Sequence, residues 1–77
     1  LLVNVKITES GKGKWNTVPA ITESISAAER ELAGNGRVLV RESGTEPLVR
    51  VMVEGKDMEM VRRLADSIAD EVRNSLS

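Results

Sequence analysis

The sequence contains no cysteine and no histidine, and these two absences exclude several kinds of site. Disulfide bonds cannot form, and a zinc site of the usual kind lacks its preferred ligands. Neither a Ser-His-Asp triad nor a Cys-His pair is available, so proton transfer would depend on Asp, Glu or Lys. No pair of carboxylates has the spacing and apolar setting of a catalytic pair. The sequence therefore predicts no catalytic residue and no metal ligand, and it favours a chain that binds its ligand without transforming it.

Aromatic residues and an excess of positive charge are also missing. There is no Phe or Tyr, and Trp15 is the single aromatic residue, while 11 Lys and Arg are balanced by 12 Asp and Glu. A nucleic-acid module would normally show stacking rings and a basic surface, so we expect no nucleic-acid partner. No apolar run is long enough to span a bilayer, and we expect no membrane partner. The lack of cysteine permits a cytoplasmic location, which is our expectation.

The length of 77 residues suits one small domain with a single two-layer core. Because the sequence starts at Leu1 in a strand-like pattern, we expect residues 1–77 to be a single domain cut from a larger multidomain protein. The pattern predicts a strand over 1–7, a polar loop over 8–17, and a helix over 18–33 that Gly34-Asn35-Gly36 ends. A β-hairpin over 37–54 and a helix over 57–74, with Asp57 as its N-cap, follow. We predict an α+β two-layer sandwich, a mainly antiparallel sheet covered on one face by two helices in the order β-α-β-β-α.

Alternation along the strands predicts which sheet face is buried. The predicted buried face consists of Val3, Val5, Ile7, Val38, Val40, Val49, Val51 and Val53. The opposite face mixes polar and large apolar residues, namely Asn4, Lys6, Leu39, Arg41, Leu48, Arg50 and Met52. Exposed apolar side chains favour association. We therefore expect this face to meet other domains of the same protein and the isolated chain to self-associate.

The hairpin loop carries the residues most suited to bind a ligand. It reads Arg41-Glu42-Ser43-Gly44-Thr45-Glu46-Pro47-Leu48-Val49-Arg50. Arginine binds phosphate oxygens through a planar fork, hydroxyl groups add donors, and glycine with positive φ lets consecutive N–H groups surround an anion. If Arg41 pairs near Leu48, Arg50 lies diagonally from it on the same face. The predicted phosphate ligands are Arg41, Ser43, Gly44, Thr45 and Arg50.

Other interpretations remain open on composition alone. Ser-Gly-Thr is common in ordinary turns, and arginine on an edge strand protects against aggregation. Glu42 and Glu46 would repel a phosphate, so they must point away or pair with arginines or ligand hydroxyls. A second glycine-rich stretch, Gly11-Lys12-Gly13-Lys14, lacks the strand-to-helix context of a phosphate loop and is expected to be a solvated turn.

Residues 37–55, Arg-Val-Leu-Val-Arg-Glu-Ser-Gly-Thr-Glu-Pro-Leu-Val-Arg-Val-Met-Val-Glu-Gly, resemble the phosphate-binding loop and flanking strands of bacterial phosphoglucosamine mutases, which are α-D-phosphohexomutases. The strand and helix order is similar over essentially the whole chain, although the position of Glu42 often holds another residue, such as proline. The resemblance implies the TATA-binding-protein-like fold of phosphohexomutase C-terminal domains. It also implies that the loop binds the phosphate that is not being transferred.

The same resemblance implies an enzyme whose chemistry lies outside this chain. Full-length relatives interconvert glucosamine 6-phosphate and glucosamine 1-phosphate, on the route to cell-wall precursors, through a phosphoserine and Mg²⁺ held by other domains. Ser43 is therefore not the phosphorylated serine, and we expect the isolated chain to be inactive and without cofactor. Alternatives are the C-terminal domain of a phosphoglucomutase or phosphomannomutase, and a stand-alone anion-binding regulatory module.

Overall fold

Three strands and two α-helices follow one another in the computed structural model, which describes residues 1 to 77. The elements are β1 (Leu2–Lys6), α1 (Pro19–Leu32), β2 (Gly36–Glu42), β3 (Leu48–Gly55) and α2 (Met58–Leu76). Two short 3₁₀ turns, Glu9–Gly11 and Trp15–Thr17, shape the segment between β1 and α1. The predicted order β-α-β-β-α is confirmed.

The sheet is antiparallel throughout, with strand order β1-β3-β2. Helix α2 packs against β3 and β1, while α1 packs against α2 and β2, so that both helices cover one face. The other face of the sheet is left uncovered and includes the exposed side chains of Leu2 and Leu39. The predicted two-layer sandwich is therefore the observed architecture.

Burial follows the predicted alternation and is most complete on the central strand. Val49, Val51 and Val53 of β3 are fully buried, as is Val5 on the neighbouring β1, and Ile7 just after β1 is 6% exposed. The remaining predicted valines, Val3, Val38 and Val40, are only partly buried because β1 and β2 are edge strands. The helices complete the core with Ile21, Ala28, Leu32, Val61, Leu64, Ala65, Ile68, Ala69, Val72 and Leu76.

The helix ends differ slightly from the predicted ones. Helix α1 starts with Pro19 and ends at Leu32, because Ala33 adopts a left-handed conformation with φ of 46°. Helix α2 starts after Asp57, whose Oδ1 accepts hydrogen bonds from the N–H groups of Glu59 and Met60 at 3.0 and 3.2 Å. It extends two residues beyond the predicted end, because Leu76 continues the buried stripe.

Gly36 belongs to β2, although the sequence assigned it to the stop of α1. It pairs with Gly55 of β3 at the end of the hairpin ladder. A Cβ atom on Gly36 would collide with the carbonyl oxygen of Glu54 and lie 2.9 Å from Cα of Gly55. The glycine is therefore required by a close approach of two backbones, which a local stop signal does not reveal.

Candidate phosphate-binding site

Arg41 and Arg50 are direct cross-strand partners at the loop end of the β2–β3 ladder. Our expectation of a diagonal placement was wrong, because it assumed pairing of Arg41 near Leu48, whereas the N–H of Ser43 bonds to the carbonyl oxygen of Leu48 at 2.9 Å. Antiparallel pairs alternate in hydrogen bonding, so Arg41 and Arg50 form a hydrogen-bonded pair with Cα atoms roughly 5.5 Å apart. Both side chains are exposed on the uncovered sheet face.

Neither of these arginines has an acidic partner. The four ion pairs of the structure join Glu9 to Lys12, Glu54 to Arg37, Glu31 to Arg63 and Asp70 to Arg73. Like charges placed directly opposite each other in a sheet destabilise it by roughly 0.2 to 1 kcal/mol. The pairing of Arg41 with Arg50 is therefore unfavourable for the fold alone, and a bound anion would reduce the repulsion between the two charges.

Four of the five predicted phosphate ligands share one pocket. Arg41, Ser43, Gly44 and Arg50 line it together with Glu42. Thr45 is not among the lining residues, but its hydroxyl lies 3.5 Å from the hydroxyl of Ser43. The pocket therefore presents two guanidinium groups and a hydroxyl at the turn.

The hydroxyl of Ser43 organises the loop backbone. Its Oγ accepts hydrogen bonds from the N–H groups of Thr45 and Glu46, each at 3.3 Å. The N–H of Ser43 itself bonds to Leu48, so the N–H of Gly44 is the one loop amide between 43 and 46 without a partner. The expected run of several free N–H groups is therefore absent from this arrangement. The Ser43 O–H remains a donor, because its oxygen accepts both amides.

Gly44 is small without being conformationally unusual. The glycines with positive φ are Gly13 and Gly34, so the expected positive φ at Gly44 does not occur. A Cβ atom on Gly44 would meet no other atom within 4 Å. Its contribution to the pocket is open space next to a free N–H, and larger side chains would occupy that space.

The two glutamates of the loop behave differently. Glu42 follows Val38 and Val40 in strand parity, and its Oε1 accepts a hydrogen bond from the N–H of Gly13 at 2.7 Å. Glu46 is exposed, and its carboxylate has no hydrogen-bond or ion-pair partner. The carboxylate of Glu42 is thus held by a backbone N–H and not by an arginine, which was one of the partners that we expected. Sequence reasoning missed this bond because Gly13 lies 29 residues away.

The register of β1 adds a neighbour that no local pattern indicated. Asn4 stands opposite Arg50, on the side away from Arg41, so the three polar residues form one row across the exposed face. The adjacent row is apolar and consists of Leu2, Met52 and Leu39. A second depression is lined by this apolar row together with the two arginines.

The structure contains neither a group of side chains suited to a metal ion nor a helix suited to span a membrane. No three His, Cys, Asp or Glu side chains come together in a group that would hold a metal ion. The residues of this chain therefore do not fit the Mg²⁺ that the resemblance implies for the larger enzyme. Neither helix has the length and apolarity required to cross a membrane.

A family model described as the phosphoglucomutase/phosphomannomutase C-terminal domain matches residues 2–71. The chain belongs to this family. The resemblance drawn from residues 37–55 is thereby confirmed. In this domain, Arg41 and Arg50 lie on either side of the loop between β2 and β3.

Phosphoglucosamine mutases of several bacteria are similar to this domain. The protein of Symbiobacterium thermophilum is 53% identical over 75 residues, that of Lacticaseibacillus casei 49% over 75 residues, and that of Caldicellulosiruptor saccharolyticus 46% over 77 residues. These alignments cover 97 to 100% of the chain but only 16 to 17% of the relatives. The chain thus spans about a sixth of the length of the curated relatives it matches.

A solved structure supports the same family assignment. An N-acetylphosphoglucosamine mutase of Aspergillus fumigatus, crystallised in complex with glucose 1,6-bisphosphate, superimposes with a TM-score of 0.78. The two sequences are 28% identical, and the match covers 99% of this chain and 15% of the fungal chain. The fold of the phosphoglucomutase/phosphomannomutase C-terminal domain is therefore shared between this chain and part of that enzyme.

Proposed function

We propose that this chain is the phosphate-binding domain of a phosphohexomutase and binds the phosphate of the sugar substrate that is not being transferred. The observation that carries the proposal is the direct pairing of Arg41 with Arg50, without acidic partners, beside Ser43 and Gly44. A phosphate dianion matches this arrangement, because each guanidinium offers a planar fork of donors whose charge does not change near neutral pH. The hydroxyl of Thr45, next to that of Ser43, completes the proposed set of ligands.

The proposed role of this site is to hold the substrate in position. Energy from binding a remote phosphate orients the reacting hydroxyl in an enzyme of this kind. The pocket residues contain no carboxylate pair arranged for proton transfer, and Ser43 uses its oxygen to accept two loop amides. The phosphoserine and Mg²⁺ of the proposed full-length enzyme would belong to other domains. We expect the chain alone to bind weakly and to show no turnover.

Glucosamine is the sugar that we propose. The support is the similarity to bacterial phosphoglucosamine mutases, since the loop itself reads phosphate and not the sugar. Glucose and mannose phosphates are the alternative substrates. Assays of the full-length protein on all three sugar phosphates would decide, and faster turnover of a glucose or mannose phosphate would contradict the glucosamine assignment.

A direct test uses the 77-residue chain and nuclear magnetic resonance. We expect inorganic phosphate and glucosamine 6-phosphate to shift the side-chain Nε–H signals of Arg41 and Arg50 and the amide signal of Gly44. The signals of Arg37, which already pairs with Glu54, serve as the internal control. Equal shifts at all arginines would indicate nonspecific charge attraction and would contradict the proposal, as would mutase activity of the chain alone.

A further inference from the structure

The hydrogen bond between Glu42 and Gly13 joins two loops that are distant in sequence. Glu42 is the last residue of β2, immediately between the pocket residues Arg41 and Ser43. Gly13 lies in the segment between β1 and α1 and adopts a positive φ of 76°. The bond from its N–H to Oε1 of Glu42 measures 2.7 Å. It is the one side-chain hydrogen bond between the pocket residues and another part of the chain.

The geometry of the Gly13 segment makes this donor distinctive. The N–H groups of Gly11, Lys12 and Lys14 bond to carbonyl oxygens within the same segment, at 3.0, 3.2 and 3.2 Å. Among residues 11–14, Gly13 is the one whose N–H has no backbone partner, and it donates to Oε1 of Glu42 instead. A Cβ on Gly13 would meet no atom within 4 Å, so the positive φ and not crowding is what favours glycine.

The same segment is fixed to the core at its other end. The N–H and the hydroxyl of Thr8 both donate to the carbonyl oxygen of Leu76, at 2.8 and 3.1 Å. Gly11 is buried, and a Cβ there would come within 3.1 Å of the same Leu76 oxygen. The segment that contains Gly13 is therefore hydrogen-bonded to the end of α2. Through its bond to Gly13, Glu42 links the pocket to this segment.

We propose that Glu42 is a positioning residue, which anchors the end of β2 to the Gly13 turn and so fixes Arg41 and Ser43 for phosphate binding. This proposal rests on the proposed function. Beyond Glu42 the loop is held by the bond between Ser43 and Leu48, the bond between Leu48 and Glu46, and the bonds centred on the Ser43 hydroxyl. On the β3 side of the loop, the N–H of Ile7 donates to the carbonyl oxygen of Pro47, which leaves Glu42 as the side-chain anchor on the β2 side. A side-chain anchor at this point limits how far the two pocket residues can move. It also keeps the Glu42 carboxylate bonded to a donor.

The direction in which Glu42→Ala changes the phosphate affinity distinguishes this proposal from a purely electrostatic effect of Glu42. Removing a negative charge beside an anion site should tighten phosphate binding if Glu42 acts only through its charge. If Glu42 acts as an anchor, Glu42→Ala should instead weaken binding of inorganic phosphate by roughly three- to tenfold, the effect of one lost hydrogen bond. Glu42→Gln keeps the acceptor oxygen and should bind at least as tightly as the wild type.

Controls are available within the same loops. Glu46→Ala removes an exposed carboxylate without a partner, and it should leave phosphate affinity unchanged or raise it. Gly13→Ala strains the turn and should weaken binding like Glu42→Ala, with the double variant no worse than either single one. Because Glu42 and Gly13 lie at the surface, we expect every variant to fold. Thermal unfolding of each variant checks this.

The experiment therefore titrates the 77-residue wild type and these variants with inorganic phosphate and records the Gly13 amide signal. We expect that signal to move in Glu42→Ala and to stay in Glu42→Gln before any phosphate is added. Tighter or unchanged phosphate binding by Glu42→Ala would overturn the proposal, as would an unmoved Gly13 signal. Absence of phosphate binding by the wild type would overturn both this proposal and the proposed function, whereas phosphate binding by the wild type with no weakening in Glu42→Ala would overturn this proposal alone.

Discussion

Arg41 stands directly opposite Arg50 in the β2–β3 ladder, whereas Arg37 on the same strand stands opposite Glu54. The second pair forms an ion pair at 3.2 Å, and the first brings two like charges together. Both pairs lie on the uncovered face of the same hairpin, so they differ mainly in the sign of the partner. The contrast supports the proposal that Arg41 binds a ligand, whereas Arg37 forms an ion pair within the hairpin.

Arg41→Gln should weaken phosphate binding without lowering stability. Loss of a charge-assisted contact reduces affinity by about ten- to a hundredfold. Removal of the like-charge pair should leave the free energy of unfolding unchanged or raise it by up to about 1 kcal/mol. Phosphate titration and urea unfolding measure the two effects.

Arg37→Gln is the matched control, expected to lower stability by up to about 1 kcal/mol and to leave phosphate affinity nearly unchanged. Opposite results for the two variants would contradict the assignment.

Gly44→Ala should lower the phosphate affinity and leave the stability of the fold nearly unchanged. Because Gly44 lacks positive φ and has no atom within 4 Å of a Cβ position, alanine fits the backbone and should change stability by less than about 1 kcal/mol. The added methyl group would occupy the space beside the free Gly44 amide, so phosphate affinity should fall.

Gly36→Ala is the comparison for this glycine. Its Cβ would collide with the Glu54 carbonyl, so we expect destabilisation of roughly 1 to 3 kcal/mol. Urea unfolding of both variants, with phosphate titration of Gly44→Ala, provides the measurement. A strongly destabilised Gly44→Ala would show that the described loop backbone is wrong.

The affinity for glucosamine 6-phosphate should rise as the pH increases from about 5 to about 7.5, because a phosphate monoester loses its second proton near pH 6. The arginines stay charged throughout this range, so the change comes from the ligand. Sulfate is the control ligand, since it carries two negative charges across the same interval. Parallel titrations by calorimetry should show a pH-dependent ratio of glucosamine 6-phosphate to sulfate affinity. A constant ratio would mean that the site does not prefer the dianion.

The sequence was sufficient to predict the element order and the buried sheet face. Apolar alternation along β3 and the four- and three-residue spacing in α2 identify residues such as Val51 and Ile68, which are fully buried. Both signals are local, since they depend on the periodicity of a strand or a helix. The family resemblance came from a contiguous stretch, residues 37–55, and the family model confirms it.

The details of the candidate site could not be predicted in the same way. The register of Arg41 with Arg50 depends on the last ladder bond, between Ser43 and Leu48, which a turn sequence does not specify. The Ser43 hydroxyl could have donated to solvent, yet it accepts two loop amides. The Glu42 bond to Gly13 requires the tertiary packing of β1 and β3 before the two loops meet. The periodicity of apolar residues does not indicate such contacts.

Glu31→Gln should reduce stability slightly near neutral pH and have less effect in acid. A hydrogen bond from Arg63 lowers the pKa of Glu31 below 4.5, and this bond at 2.8 Å links α1 to α2. Since the pKa is lowered in the fold, the stabilisation is present above the ordinary carboxyl pKa and disappears as the pH falls through the lowered value. Urea midpoints of wild type and variant should therefore differ at about pH 7, and the difference should shrink as the pH falls below the ordinary carboxyl range. Glu23→Gln, on the same helix without an ion pair, should show no such convergence.

The exposed apolar row should make the isolated chain self-associate. Leu2 and Leu39 are 56% and 45% exposed on the face that the helices do not cover, with Met52 between them. In the proposed full-length enzyme this face would contact other domains, so the isolated chain leaves it in water. Sedimentation velocity should show an average mass that rises with concentration, and Leu39→Ser should reduce the rise because it removes apolar area from this face. Met58→Ser is the matched control, since Met58 is 57% exposed on the helical side and should leave association unchanged. A wild type that stays monomeric at every concentration would show that the face is stable in water and would remove this reason for an interdomain contact.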